Sequence, residues 1–267
     1  MVRVGLVGCG TIGSRLALAI QRDHAHEAKI VALHDVDRCH AQHLQRRLRP
    51  PPPIVQLPRL IRKSQLVIEA ASVEAAGLVV RAALRAGRDV FVMSVGALLQ
   101  EAGWQRLARR SGRRVYIPSG ALAGLDGVKA MAVGRIRRVS LTTRKPPRAL
   151  AAAPFIQRRR IRFAGITRPL TVFEGSARAV VRAFPQNTNV AAVLALASGA
   201  PHRTHIRVVA DPSIRRNIHE IDVEGDCGRI RCRVESRPSA NPKTSELAVR
   251  SAIATLSRLF DAVVIGT

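Results

Sequence analysis

The chain has 267 residues, 47% hydrophobic but only 3% aromatic, so a core of Ala, Val, Leu and Ile is expected in one large or two modest domains. Its 44 Lys and Arg against 18 Asp and Glu give a formal net charge of +26, which attracts anions without naming one; a dedicated single-strand nucleic-acid binder would carry more stacking rings than one Trp and one Tyr. The N-terminus does not read as a signal peptide, no apolar run suggests a membrane span, and four cysteines do not suggest a disulfide framework, so a cytoplasmic protein with reduced thiols is expected.

A strand over 3–7 runs straight into Gly8-Cys9-Gly10-Thr11-Ile12-Gly13, which opens a helix over about 12–22. This is G-x-G-x-x-G in strand–turn–helix context. Its glycines let backbone N–H groups approach a pyrophosphate at the positive end of the helix. A second strand over 30–35 ends at Asp35, 22 residues past Gly13, where a carboxylate can accept bonds from ribose hydroxyls. The pattern predicts a dinucleotide site built from Gly8, Gly10, Thr11, Ile12, Gly13 and Asp35, with NAD preferred. Arg38 and His34 beside Asp35 leave room for NADP.

A helix is expected near 38–48, then a short strand over 54–57 and a turn of helix. The apolar run Gln65 to Ser72 reads as a strand buried on both faces, followed by a helix over 74–86 closed by Gly87. A strand over 89–93, the loop Ser94-Val95-Gly96-Ala97-Leu98, a helix over 101–111 and a strand over 114–117 continue the alternation. This βαβ rhythm predicts an α/β domain, a doubly wound parallel sheet. Small residues end three segments on the ligand side of such a sheet: Ala70-Ala71-Ser72, Ser94 to Ala97, and Pro118-Ser119-Gly120-Ala121. They permit a flat ring against the backbone. Tight strand–loop packing is the other reading.

Beyond about residue 122 the rhythm changes. Residues 133–143 read as a half-buried antiparallel strand, 176–184 and 188–198 as helices, 204–210 as a strand, and 218–224 with 229–235 as a hairpin. The expected second domain is α+β with a mostly antiparallel sheet, over 123–241. A last helix from about Pro242 to Phe260, within 242–267, is expected to pack back on the dinucleotide domain of 1–122 through Leu247, Ala248, Ile253, Leu256, Leu259 and Phe260. Five histidines of the first half read as surface residues. His202 and His205 have no third ligand in view, and no metal site is expected. His219, between Ile218 and Glu220 at a strand start, can be an acid/base group or a satisfied structural histidine.

The second half resembles the L-aspartate dehydrogenase family. The matching stretches are Ile117 to Asp126, Phe173 to Ala177, Phe184 to Ala192, Asp211-Pro212 with Asn217-Ile218-His219-Glu220, and Asn241 to Ser245; with the glycine loop and Met93 to Leu98 they span nearly the whole chain. The resemblance implies a homodimer that converts L-aspartate, water and NAD(P)+ reversibly to oxaloacetate, ammonia and NAD(P)H. The intermediate iminoaspartate can feed NAD biosynthesis. The resemblance makes His219 the acid/base group and places Ala123 and Asn189, with Asn187 close by, near the nicotinamide. Ser119, Gly120 and Lys243 are candidates for holding substrate. No specific nucleic acid and no membrane are expected as partners. Two readings compete. One is another two-domain oxidoreductase of homoserine or dihydrodipicolinate type. The other is a non-enzymatic, basic dinucleotide sensor that binds nucleic acid.

Overall fold

The computed structural model describes residues 1–185, 189–237, 239 and 245–266. Two compact units result: one comprises Met1–Pro118 and Ala252–Val264, and the other is centred on Ser119–Ser251.

The first unit alternates strand and helix. In chain order come β1 (Val2–Val7), α1 (Thr11–Asp23), β2 (Ala28–His34), α2 (Arg38–Arg47), α3 (Leu57–Lys63), β3 (Leu66–Glu69), α4 (Val73–Arg85), β4 (Asp89–Val92), α5 (Gly96–Gln100), α6 (Trp104–Ser111) and β5 (Val115–Tyr116). All pair in parallel, in the order β2-β1-β3-β4-β5. β3 is buried at every position, which is why its sequence is a continuous apolar run broken only by Glu69. Leu6, Leu16, Ile20, Leu33, Leu44, Ile68 and Phe91 fill one side of the sheet. The chain crosses from β2 past β1 to β3, so the order reverses between β1 and β3. Their carboxyl ends open the crevice where such sheets hold ligands.

Several local expectations change. The segment Ile54 to Leu57 is a single bridge, Ile54 to Leu33, rather than a strand. The stretch after Ser94 is the short helix α5, and the next helix starts at Trp104, not 101. His24 and His34 are half-buried rather than surface residues: His24 Nε2 lies 2.7 Å from Ser257 Oγ, and His34 Nδ1 lies 3.0 Å from the Val55 carbonyl.

The second unit contains α7 (Leu125–Met131), β6 (Ile136–Lys145), α8 (Pro147–Leu150), α9 (Pro154–Arg158), β7 (Leu170–Ser176), α10 (Ala177–Ala183), α11 (Asn189–Ala197), β8 (Thr204–Ala210), β9 (Asn217–Gly225) and β10 (Gly228–Ser236). Its sheet runs β10-β9-β6-β8-β7, antiparallel except where β6 pairs with β8 in parallel. The strand expected over 133–143 therefore has a parallel neighbour as well as an antiparallel one, and it reaches Lys145. Strand β7 has no counterpart in the sequence reading. Its outer positions Leu170, Thr171, Glu174 and Ser176 are exposed, so hydrophobic alternation is weak there.

The final helix, α12 (Glu246–Ser257), is described from Glu246 on; its expected start at Asn241 and Pro242 lies outside the described residues. Ala252 and Leu256 are fully buried in the same cluster as Leu16 and Leu44, and Ile253, Leu259 and Phe260 pack against it. Leu247, expected in that stripe, is exposed and Ala248 is half-buried. The chain thus has an α/β doubly wound parallel sheet and an α+β unit with a mostly antiparallel sheet.

Candidate active site

The dinucleotide cradle is built from three glycines with three different tasks. Gly8 has φ +92, and a Cβ there would meet the Ala70 carbonyl at 2.5 Å and the Ala71 nitrogen at 2.6 Å. It makes the turn and lets the β1 and β3 ends touch. A Cβ on Gly13 would fall 1.9 Å from the Gly8 carbonyl oxygen, so α1 packs on the loop only through glycine. A Cβ on Gly10 would meet nothing within 4 Å. Gly10 also caps α1 without a side-chain bond, and no acidic residue stands in the first turn. The amides of Thr11, Ile12 and Gly13 therefore start a helix whose positive end is left to a ligand, an arrangement that fits a pyrophosphate.

Asp35 stands just past β2. Its Oδ2 accepts the Cys9 N–H at 2.6 Å and its Oδ1 accepts the Asp37 N–H at 2.9 Å. The carboxylate thus ties the acidic position to the glycine loop. Burial, with the Asp35 charge, pushes the Cys9 thiol up to about 12, so this cysteine is an unreactive part of the wall.

Sequence reasoning missed the residue that orders the next two loops. Glu69 is fully buried at the end of β3. Its Oε1 accepts the Ala71 N–H at 2.9 Å and the Ser94 hydroxyl at 2.9 Å; its Oε2 accepts the Ser94 N–H at 2.9 Å. One carboxylate thus fixes the loops after β3 and β4. Burial raises its pKa, and the bonds from Ser94 and Ala71 oppose the rise. A charge inside an otherwise apolar strand was the available signal. Ala71 and Ser72 are exposed beside it, with the Ser72 hydroxyl accepting the Ala75 N–H to cap α4.

In the second unit His219 is 4% exposed, on the buried face of β9 with Ile221 and Val223. It stands directly across the ladder from Thr143 of β6, and His219 Nδ1 and Thr143 Oγ1 share a hydrogen bond of 3.1 Å. Lys145, two residues on along the same face of β6, is also buried. Burial pushes the His219 imidazole down to about 3, and the Lys145 charge adds to the shift. Burial likewise lowers the Lys145 ammonium to about 8. Lys145 is the second residue that sequence reasoning missed.

The remaining expected positions lie elsewhere in this unit. Gly120, with φ +65, approaches Val190 of α11, whose first residue, Asn189, is exposed. Ala123 is exposed and Ser119 half-buried. Asn187 and Lys243 lie outside the described residues. His205 Nε2 lies 2.8 Å from Glu174 Oε1, and no cluster of three or more metal-ligating side chains occurs among the described residues.

Residues 126–259 match the family model described as aspartate dehydrogenase, C-terminal, and residues 8–118 match that of the homoserine dehydrogenase NAD-binding domain. The chain is 44% identical over 272 residues to the L-aspartate dehydrogenase of Methanosarcina barkeri, covering all of both chains. It is 37% identical over 266 residues to that of Bradyrhizobium diazoefficiens, covering all of this chain and 94% of the relative. Among solved structures, the aspartate dehydrogenase of Thermotoga maritima shares the fold over the whole of both chains, with a TM-score of 0.75 at 23% identity. The NAD(H)-bound scyllo-inositol dehydrogenase of Lactobacillus casei shares it with a TM-score of 0.55 at 14% identity, over all of this chain and 91% of that one.

Two expected outcomes follow from this geometry. Glu69→Ala leaves the Ser94 N–H and hydroxyl, both buried, and the Ala71 N–H without their acceptor and should cost about 3 kcal/mol in chemical denaturation, with Glu69→Gln costing less because it keeps one oxygen. An equal, small effect of both would deny Glu69 its role. The ring of His219 should stay neutral in long-range ¹H–¹⁵N spectra of the ligand-free protein from pH 8 down to pH 5, whereas a midpoint near 6.5 would contradict its burial. Because the folded value of about 3 lies below the unfolded one near 6.5, this ring is neutral toward stability above that range and costs stability as pH falls through it.

Proposed function

The chain belongs to the L-aspartate dehydrogenase family, and on that premise we propose His219 as the acid/base group of its reaction, with NAD as the preferred cofactor. The protein is an oxidoreductase that deaminates L-aspartate reversibly to oxaloacetate and ammonia, through iminoaspartate, with a nicotinamide dinucleotide. The observation that carries the reading is the presence, in one chain 44% identical to such an enzyme, of the open glycine cradle and a buried histidine bonded to a hydroxyl.

Gly8 to Gly13 would hold the pyrophosphate on the α1 amides, and Asp35 would accept bonds from the adenosine ribose. Ala71 and Ser72 would line the same crevice. When bound, the nicotinamide supplies the acceptor for the hydride leaving the aspartate Cα. His219 then handles protons. With Nδ1 engaged by Thr143, Nε2 is the atom that takes a proton from the water adding to the imine carbon and returns one to the departing amine. A value near 3 makes the ring a weak base in the free protein. A substrate carboxylate entering beside it favours the protonated ring and brings it toward working range. Asn187, Asn189, Ala123, Ser119, Gly120 and Lys243 complete the proposed site, on the family resemblance. A homodimer and a cytoplasmic location belong to the same reading.

Asp35 supports the choice of NAD, because its carboxylate repels a 2′-phosphate where the ribose hydroxyl would bind. Arg38 is exposed close by and keeps NADP tolerated.

Mixing the protein with NADH, oxaloacetate and ammonium should deplete absorbance at the NADH band. His219→Ala should lower kcat about 10²-fold or more while leaving the NADH Kd unchanged. Unaltered turnover in that variant would remove His219 from the chemistry. In fluorescence titrations the Kd for NADH should be at least about tenfold below that for NADPH, and Asp35→Ser should narrow the gap. Tighter binding of NADPH to the unaltered protein would reverse the cofactor assignment.

A further inference from the structure

Among the described residues of the first unit, Glu69 is the one fully buried carboxylate, and the reaction proposed above gives it no task. Its contacts decide its charge. Oε1 accepts the Ala71 N–H and the Ser94 hydroxyl, and Oε2 accepts the Ser94 N–H. A protonated carboxyl must itself donate. The two amides cannot accept, and the Ser94 hydroxyl would accept only by giving up Glu69 as its own acceptor. Burial favours the neutral form, the bonds from Ser94 and Ala71 oppose it, and no charged neighbour acts on the group. The donor set thus holds Glu69 as an anion compensated by dipoles rather than by a cation.

Its place in the sheet gives that charge a target. In the functional reading above, Asp35 addresses the adenosine ribose from the end of β2, and the amides at the start of α1 address the pyrophosphate. A dinucleotide laid from the β2 side across the switch point between β1 and β3 ends with its second base on the side of β3 and β4. The loops there carry small side chains, Ala70, Ala71 and Ser72 after β3 and Ser94 after β4. Glu69 bonds amides of both loops from inside the sheet.

We propose that Glu69 sets the redox preference of the cofactor site: its buried charge favours the oxidised, cationic nicotinamide over the reduced, neutral one. This rests on the dinucleotide binding of the reading above and deepens it. The consequence is a bias toward reductive amination. In that direction the reduced ring gives a hydride, with its electron pair, to the imine carbon, the imine nitrogen takes a proton, and the ring is left with one more positive charge. A fixed anion beneath offsets that charge where little water screens it. The rest of the protein pulls the other way. The reduced dinucleotide carries one more net negative charge, and a chain of net charge +26 attracts it more strongly. Glu69 lies behind the loop backbone, so it is a positioning residue that acts through its field.

Calorimetric titrations with NAD+ and with NADH give the ratio of the two Kd values, a readout independent of turnover. Glu69→Gln removes the charge at nearly constant shape. A loosened loop weakens both cofactors alike, so the ratio isolates the charge. The variant should raise Kd(NAD+)/Kd(NADH) about tenfold, whereas Ser94→Ala, which disturbs the same loop and keeps the carboxylate, should leave the ratio within about twofold. A ratio within about twofold of the unaltered protein in Glu69→Gln, or an equal shift in both variants, overturns the proposal and leaves the functional reading intact. If the unaltered protein binds neither NAD+ nor NADH, the dinucleotide reading fails and the proposal with it. Should Glu69→Gln fail to fold, the unaltered protein decides: NAD+ should bind no more than about threefold more weakly than NADH, against the pull of the net charge, and a larger preference for NADH overturns the proposal.

Discussion

The dinucleotide unit depends on what happens at the carboxyl ends of its parallel strands, where backbone amides emerge with no further strand to bond. Glu69 meets that need from inside the sheet, accepting two amides and a hydroxyl from the loops after β3 and β4. On its other side β3 meets β1, where only glycine at position 8 lets the Ala70 carbonyl approach so closely. Asp35 then pins the loop from β2 through the Cys9 amide. Four strand ends are thus organised by two carboxylates and a missing side chain. The amides that remain at the start of α1 form the cradle. Rigid loops of this kind hold a cofactor with little left to order on binding.

The second unit divides its chemistry between the two faces of one sheet. On the exposed face, arginines alternate with acids across three strands. Arg229 and Arg231 bond Asp222, Arg138 lies near Asp222 and Glu224, and Arg233 and Arg144 bond Glu220. Arg229 and its neighbours hold the Asp222 carboxyl down to about 2. Such exposed pairs contribute little stability each, but they give part of the arginine excess a local partner and blunt the sheet face against nonspecific pairing. The paired runs Arg46-Arg47, Arg109-Arg110 and Arg158-Arg159-Arg160 are exposed, as solvated charge should be. The buried face carries Thr143, Lys145 and His219, beside the buried hydroxyls of Thr204 and Ser236. A buried imidazole whose pKa is lowered by burial and by a neighbouring ammonium, as at His219, is a mark of a functional site.

Relatives over the whole length carry the name of the enzyme, while solved structures at low identity share only its architecture. The same two-unit frame therefore serves several dehydrogenases. What must differ among them is the set of side chains on the second sheet, because the glycine cradle addresses the cofactor and leaves the substrate open.

The sequence alone determined the elements whose signal is local. G-x-G-x-x-G after an apolar strand specified the cradle, because each glycine answers a backbone constraint within a few residues. The apolar run Leu66 to Glu69 specified a strand buried on both faces, and Gly225-Asp226-Cys227-Gly228 specified the hairpin of β9 and β10. Family motifs pointed to His219. Tertiary structure decided what depends on distant partners. The parallel pairing of β6 with β8 is made between strands some sixty residues apart and leaves no local trace. Lys145 lies past the strand read over 133–143, and two more residues of alternation carry it onto the buried face, opposite Ala210 of β8. Glu69 showed itself in sequence as a charge in an apolar strand, yet its purpose appeared only when the loop after β4 folded back to give it the Ser94 amide. Local spacing fixes which way a side chain points along its strand; only packing determines what it meets there.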